Sequence, residues 1–303
     1  MTLPNFLIIG VPKSGTTSLY HYLTQHPQIY MSPVKEPNFL AFVGKHPEFC
    51  GPKGKDIWIN NQSIVDFQKY QALFDKVDGE KAIGEASILY LYLPETPKHI
   101  QHYLPDVKLI AILRHPVDRA FSHYVHLRRT GEEWLTDFTL ALDEEEKRWN
   151  RGWAPAWCYQ KLGLYSPQLE RYLQIFPRDR IRVYLYDDWL NQPLNVLNDL
   201  FTFLEVDSEF QPRMSIRHNQ TSVVWKNNTL RNFLIDQNSF RSAVSKIIPD
   251  RIRKPIAEIL LRKNKVKPPQ LNSEVRKQLI PRFQEDILKL QDLIDRDLSH
   301  WLA

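Results

Sequence analysis

Apolar runs of strand length alternate with stretches of helical period along the chain as far as Leu204. Phe6–Val11 is an apolar run that fits a buried strand, Thr16–Gln25 has helical spacing, and a short extended piece follows around Gln28–Ser32. The alternation continues with a strand at Lys81–Ala86, a helix at Pro97–Tyr103, a strand at Lys108–Leu113 and a helix at Val117–Arg129 that ends at Thr130-Gly131. Ser166–Ile175 is helical, Ile181–Leu185 is a β-branched strand, and Leu194–Leu204 is a helix with apolar residues three and four apart. Strands alternating with helices predict an α/β fold of three layers, a central parallel sheet flanked by helices.

From Met214 to about Val266 the periodicity weakens. Arg251, Arg253, Lys254, Arg262, Lys263, Lys265 and Lys267 form a basic stretch that ends at Pro268-Pro269. It is either a phosphate-facing or membrane-facing flap or a solvated helix face followed by a turn. The tail, Asn272–Leu302, is amphipathic and expected to be helical. With 303 residues and 43% hydrophobic content, the chain is long enough for one large core, so a single domain over 1–303 is expected.

Charge and cysteines narrow the classes. A net charge of +5 suits an anionic ligand but falls far short of a nucleic-acid-binding composition. Cys50 and Cys158 are the only cysteines, which excludes a disulfide framework and a Cys/His metal cluster and fits a reducing, cytoplasmic setting. The first apolar stretch is too short for a signal segment or a membrane span, so the mature chain is expected to start near Met1.

The candidate chemistry begins where Phe6–Val11 runs into Pro12-Lys13-Ser14-Gly15-Thr16-Thr17-Ser18 and then a helix. Backbone N–H groups at such a helix start converge on one point, and Gly15 allows the close approach that a phosphate needs. Gly10 and Gly15 have the spacing of a nucleotide-binding P-loop, but Thr16 stands where its lysine belongs and Lys13 lies within the loop instead. The later strand ends in Arg114-His115-Pro116, not in a magnesium-binding Asp. Both departures argue against a small-molecule kinase using magnesium and ATP.

PKSGTTSL after a strand resembles the 5′-phosphosulfate loop of sulfotransferases that use 3′-phosphoadenosine 5′-phosphosulfate (PAPS). LIAILRHPVDRAFSHY is similar to that family's 3′-phosphate signature, whose Arg and Ser match Arg114 and Ser122. An Arg fork and a Ser hydroxyl suit phosphate oxygens. KEPNFL, GEAS, YSPQLERYLQIFP, VYLYDDWL and DRDLSHWL extend the likeness, toward bacterial and Golgi heparan-sulfate-type members, over essentially the whole chain.

The resemblance implies a P-loop-like sulfotransferase domain that moves a sulfuryl group from PAPS to an acceptor hydroxyl or amine, leaving PAP, without a metal. It implies that Lys13 contacts the 5′-phosphate and bridging oxygen, with Ser14, Gly15, Thr16, Thr17 and Ser18 around them. Arg114 and Ser122 hold the 3′-phosphate, and Tyr186 packs near the adenine or belongs to the core. The base is Glu36, matched to the heparan-type motif, with Lys35 keeping it ionised or touching the donor. A carboxylate in a dry site gains proton affinity, which suits such a role.

One departure is Glu85, followed by Ala86 where heparan-type enzymes often carry a lysine. Glu85 is either a second acid in the acceptor pocket or the partner of a buried Arg. His115, His123 and His126 are further bases to weigh, the last two expected at the surface or in packing. Arg217, Asn219 or Lys226 could close over the nucleotide, within a cleft-covering region at about 214–269. Tyr159, Gly163 and Tyr165 fall where family members line the cleft, and Trp153, Trp157 and Tyr159 either stack on a sugar or belong to the core. The KEP motif favours a carbohydrate or lipid-linked acceptor, with the protein cytoplasmic or peripheral to a membrane. A relative that binds PAPS or anionic glycans without turnover is the non-enzymatic alternative.

Overall fold

The computed structural model describes residues 2–214, 224–226, 260 and 264–303. Five strands, β1 (Phe6–Gly10), β2 (Ile29–Met31), β3 (Ala82–Ala86), β4 (Lys108–Leu113) and β5 (Ile181–Leu185), form one sheet in the order β2-β3-β1-β4-β5. Every pairing is parallel. The middle strands are apolar on both faces because helices cover both. Phe6 and Ile8 of β1, with Ile110 and Ile112 of β4, enter one cluster, whereas Leu7, Ile9, Leu109 and Ala111 enter the other. That is the period-2 alternation of a sheet between two layers.

The helices are α1 (Thr16–Leu23), α2 (Trp58–Gln62), α3 (Phe67–Gln71), α4 (Thr96–Tyr103), α5 (Pro116–Thr130), α6 (Phe138–Asp143), α7 (Glu145–Asn150), α8 (Ser166–Leu173), α9 (Tyr186–Asn191), α10 (Pro193–Phe203), α11 (Ser273–Leu279) and α12 (Gln284–Ile294). α1 and α10 pack on one face of the sheet, and α4, α5, α8 and α12 contribute to the cluster on the other. A small antiparallel pair, β6 (Val224–Trp225) with β7 (Lys265–Val266), lies apart from the main sheet. α5 starts at Pro116, whose fixed φ and missing N–H suit a first helical position, and stops at Gly131 in the left-handed conformation (φ 81°).

The tail departs from the single helix expected over Asn272–Leu302. Pro281 breaks it at a 3-10 turn, Ile280–Arg282, and Asp295 ends α12 with φ 52°. The pieces dock by specific bonds. Asp286 on α12 accepts from the N–H groups of Tyr165 (2.7 Å) and Ser166 (3.0 Å) and from the Ser166 hydroxyl (2.7 Å) at the start of α8. His115 Nδ1 accepts from Val117 N–H (3.2 Å), which leaves Nε2–H to donate to the Trp301 carbonyl (2.8 Å). His115 is thereby a helix cap and a tail anchor. Among the described residues no helix is long and apolar enough to cross a membrane.

The chain moves from β1 out to β2, returns to β3 beside β1, then crosses to β4 on the other side. That change of direction opens a crevice at the carboxyl ends of the strands, where open parallel sheets hold their ligands.

Candidate active site at the carboxyl ends of the strands

A cavity of about 1080 Å³ lies there, lined by the loop after β1, Lys35 and Glu36 after β2, Ile88 after β3, Arg114 after β4 and Tyr186 after β5. Small-molecule pockets usually span about 300–1,000 Å³, so this one has room for two reactants. Of the residues singled out from the sequence, Lys13, Gly15, Thr16, Thr17, Ser18, Glu36, Arg114, Ser122 and Tyr186 all line it.

The turn after β1 is shaped by two left-handed residues, Lys13 (φ 72°) and Gly15 (φ 86°), the second standing at the N-cap of α1. Gly15 is required for space as well, since a Cβ there would meet Trp189 Nε1 at 2.9 Å. Ser14 is fully buried in this turn, and its Oγ has no hydrogen-bond partner among the described residues. It lies beneath the cavity wall, which Lys13, Gly15, Thr16, Thr17 and Ser18 of the same turn form. The N–H groups at the start of α1 and Lys13 make a donor set that fits an anion.

Arg114 joins the turn to the far side of the cavity. Its Nη1 donates to the Lys13 carbonyl (3.0 Å), its guanidinium carbon lies 4.7 Å from the centre of the Tyr186 ring, and its own carbonyl accepts from the Tyr165 hydroxyl (2.8 Å). Burial pushes the Lys13 ammonium down to about 8, and the charges of Arg129, Arg114 and Lys35 add to the effect. Four cations thus converge with few anions to offset them, a field that favours a negatively charged ligand.

Glu36 sits in a left-handed turn (φ 62°), its N–H donates to the Ala86 carbonyl (2.9 Å), and its carboxylate pairs with Lys35 at 2.6 Å. His123 and His126 line the cavity wall. Burial first, then the neighbouring cations, drives His126 down to about 3 and His123 well below its ordinary value, so both are neutral imidazoles near pH 7.

Other expectations are corrected. Among the described residues Glu85 has no buried Arg as partner. Its carboxylate is held by the hydroxyls of Tyr70 (3.3 Å) and Ser87 (2.8 Å), and it does not reach the cavity wall. Trp157, Tyr159 and Tyr165 are core residues at most 2% exposed. Trp153 packs edge-on against Trp157, and Gly163 packs against Phe283 and Pro116. Arg217 and Asn219 lie outside the described residues, as does most of 214–269, including Arg251, Arg253, Lys254, Arg262 and Lys263. Of that region Met214 and Pro269 line the cavity, and Lys226 and Lys267 are exposed.

Two residues at the site escaped the sequence reading. Trp189 follows Tyr186 by one helical turn on α9 and closes over Gly15. Arg129 lies seven residues after Ser122 on α5, with His126 between them, so helical spacing alone puts the three on one face.

Comparison with known proteins gives the family. Residues 4–212 match the model of the sulfotransferase family, and the chain belongs to that family. The crystal structure of a sulfotransferase from Alicyclobacillus acidocaldarius is similar over 100% of both chains, with a TM-score of 0.77 and 34% identity. The membrane-associated sulfotransferase kil1 of Dictyostelium discoideum is 24% identical over 332 residues, covering 82% of this chain and 65% of that protein. Heparan sulfate glucosamine 3-O-sulfotransferase 6 of Homo sapiens is 30% identical over 180 residues, covering 57% of this chain and 44% of that protein. The chain thus spans less than two-thirds of the length of either curated relative.

Proposed function

We propose that this sulfotransferase takes the sulfuryl group from PAPS and places it on a hydroxyl or amine of a carbohydrate or lipid-linked acceptor. The observation that carries the donor assignment is the turn after β1, where Lys13 and the start of α1 line the cavity and Arg114 lines it too, bonded to the Lys13 carbonyl. Bound PAPS supplies a sulfuryl group whose departure leaves charge on the bridging oxygen. Lys13 would hold that end, with donors from Ser14, Gly15, Thr16, Thr17 and Ser18. Its depressed proton affinity leaves it mostly charged below pH 8, and an anion beside it restores the proton. Arg114 and Ser122 would hold the 3′-phosphate, and Tyr186, already stacked on Arg114, would meet the adenine. These are fixed donors and cations where charge develops.

Glu36 takes the acceptor's proton in this scheme. Lys35 pairs with its carboxylate at 2.6 Å, and the Ala86 carbonyl at the end of β3 holds the turn that carries it. No step calls for a metal. The carbohydrate reading is supported by the relative named for heparan sulfate glucosamine, and the lipid-linked one by the membrane-associated relative. Free Cys50 and Cys158 support work in the cytoplasm, either dissolved or at a membrane surface.

Calorimetry with PAP, with and without magnesium, tests the donor. Metal-independent binding that falls at least about tenfold in Arg114→Ala is expected, since a charge-assisted fork to phosphate is lost. Binding of ATP with magnesium but not PAP would return the loop to a kinase reading. Labelled PAPS with desulfated heparan-type oligosaccharides then tests transfer. PAP binding without transfer to any acceptor would favour a non-catalytic binder, and Glu36→Ala should keep PAP binding while losing transfer.

A further inference from the structure

Beneath the turn that carries Glu36 lies a carboxylate that the proposed reaction does not use. Glu85, on β3, is fully buried. Its Oε2 accepts from Ser87 Oγ (2.8 Å), its Oε1 accepts from Tyr70 (3.3 Å), and the Tyr90 hydroxyl bonds the same carboxyl group. Two of these hydroxyls face the Glu36 turn with their remaining lone pairs. Ser87 Oγ accepts from Asn38 N–H (3.1 Å), and Tyr90 accepts from Leu40 N–H (3.1 Å). The third, Tyr70, stacks on Phe39 with ring centres 4.5 Å apart.

The turn needs such support. Glu36 and Asn38 both hold left-handed backbone conformations, at φ 62° and 55°, which non-glycine residues keep only when their surroundings impose them. The carboxylate sets the polarity of the whole socket. Burial pushes its carboxyl up to about 7, and above that pH it is ionised and only accepts, so all three hydroxyls aim their hydrogens inward and offer lone pairs outward. Backbone donors at Asn38 and Leu40 meet those lone pairs.

We propose that Glu85 is the positioning residue for Glu36, acting through Ser87 and Tyr90 to lock residues 36–40 against the end of β3. This rests on the reading of Glu36 as the base. A glutamine at 85 would keep the shape but bring an NH₂ that needs an acceptor. One hydroxyl would have to turn toward it, and the hydroxyl's partner on the turn would lose its bond.

Amide hydrogen exchange of the whole chain, read at Asn38 and Leu40, tests this. At about pH 8, where Glu85 is ionised, exchange at these two amides in Glu85→Gln should rise about tenfold, as expected for one lost hydrogen bond, with the amides of Ser14–Thr17 unchanged. Turnover of PAPS, with desulfated heparan-type oligosaccharide as acceptor, should fall by a similar factor in kcat with KM for PAPS within about twofold, because a loosened base affects the chemical step and not donor binding. If Glu85→Gln does not fold, Ser87→Ala, which removes one hydroxyl, carries the test at Asn38. Unchanged exchange at both amides overturns the proposal whatever Glu36 does. Raised exchange with full turnover in Glu36→Gln sinks Glu36 as the base instead, and leaves Glu85 as the anchor of a turn with another purpose.

Discussion

Arg114 donates to the carbonyl of Lys13 at 3.0 Å while its guanidinium carbon stands 4.7 Å from the centre of the Tyr186 ring. One side chain thereby fixes the turn after β1 against the end of β5. Both contacts depend on a flat, forked cation, which lysine does not offer. Arg114→Lys keeps the charge, yet PAP affinity should fall about ten- to hundredfold in calorimetry, the cost of about 1.4–2.8 kcal/mol of lost directed bonding. An unchanged affinity would mean that charge alone is used at this position.

Lys13 gives a pH signature with a definite sign. In the free chain it titrates at about 8, held down chiefly by burial. An anion beside it raises that value, so PAP binding near pH 8 should take up roughly half a proton, and affinity should fall as pH rises from 8 toward 10. Calorimetry in two buffers of different ionisation enthalpy reads the uptake directly. For folding the same shift means that the native chain binds fewer protons than the unfolded one between about 8 and 10.5. The burial of charged Lys13 therefore costs stability below pH 8 and is relieved as pH rises. Lys13→Met should stabilise the ligand-free protein at pH 7 by about 1–3 kcal/mol while abolishing PAP binding.

Much of this was legible in the chain because strong local signals coincide with the site. The apolar run before Lys13 became β1, the run before Arg114 became β4, and the residues just past each strand end had to face the same crevice once the sheet was parallel. α2, α3, α6, α7 and α9 were missed because five or six residues hold too little periodicity to register. Asp66 and Asp137, whose carboxylates cap α3 and α6, were the available signals. Glu85 and the aromatic residues Trp157 and Tyr159 were ambiguous for another reason. Burial depends on what other segments bring against a residue, and a strand end that looks like a cleft wall in sequence was filled from Tyr70 and Tyr90.

Gly15 carries two demands that one substitution can separate. Its φ of 86° is unfavourable for any residue with a Cβ, and that Cβ would meet Trp189 at 2.9 Å. Gly15→Ala should lower stability by about 1–2 kcal/mol from the backbone alone and more from the displaced indole. Adding Trp189→Ala should return only the steric part. Thermal melts of the single and double variants, with PAP affinity beside them, distinguish the two. Full recovery in the double variant would mean that the turn tolerates a side chain and that space alone selects glycine.

The Glu133–Arg148 pair sits away from the cavity wall and should affect folding alone. Glu133 is fully buried, Arg148 is 3% exposed, and they meet in a two-pronged contact of 2.6 and 3.0 Å. Tyr159 donates to the same carboxylate (2.9 Å), and the Arg148 guanidinium lies 5.2 and 5.1 Å from the ring centres of Trp134 and Trp153, which themselves meet edge-on. Glu133→Gln leaves a buried guanidinium without its counter-charge, which costs about 3–5 kcal/mol when such pairs are broken. Urea unfolding should show that loss with PAP affinity unchanged. Glu133→Leu combined with Arg148→Met removes both charges and should recover part of it, held back by the Tyr159 hydroxyl that loses its acceptor. A double variant less stable than Glu133→Gln would mean that the contact of Arg148 with the Trp134 and Trp153 rings, and not the ion pair, is what the fold depends on there.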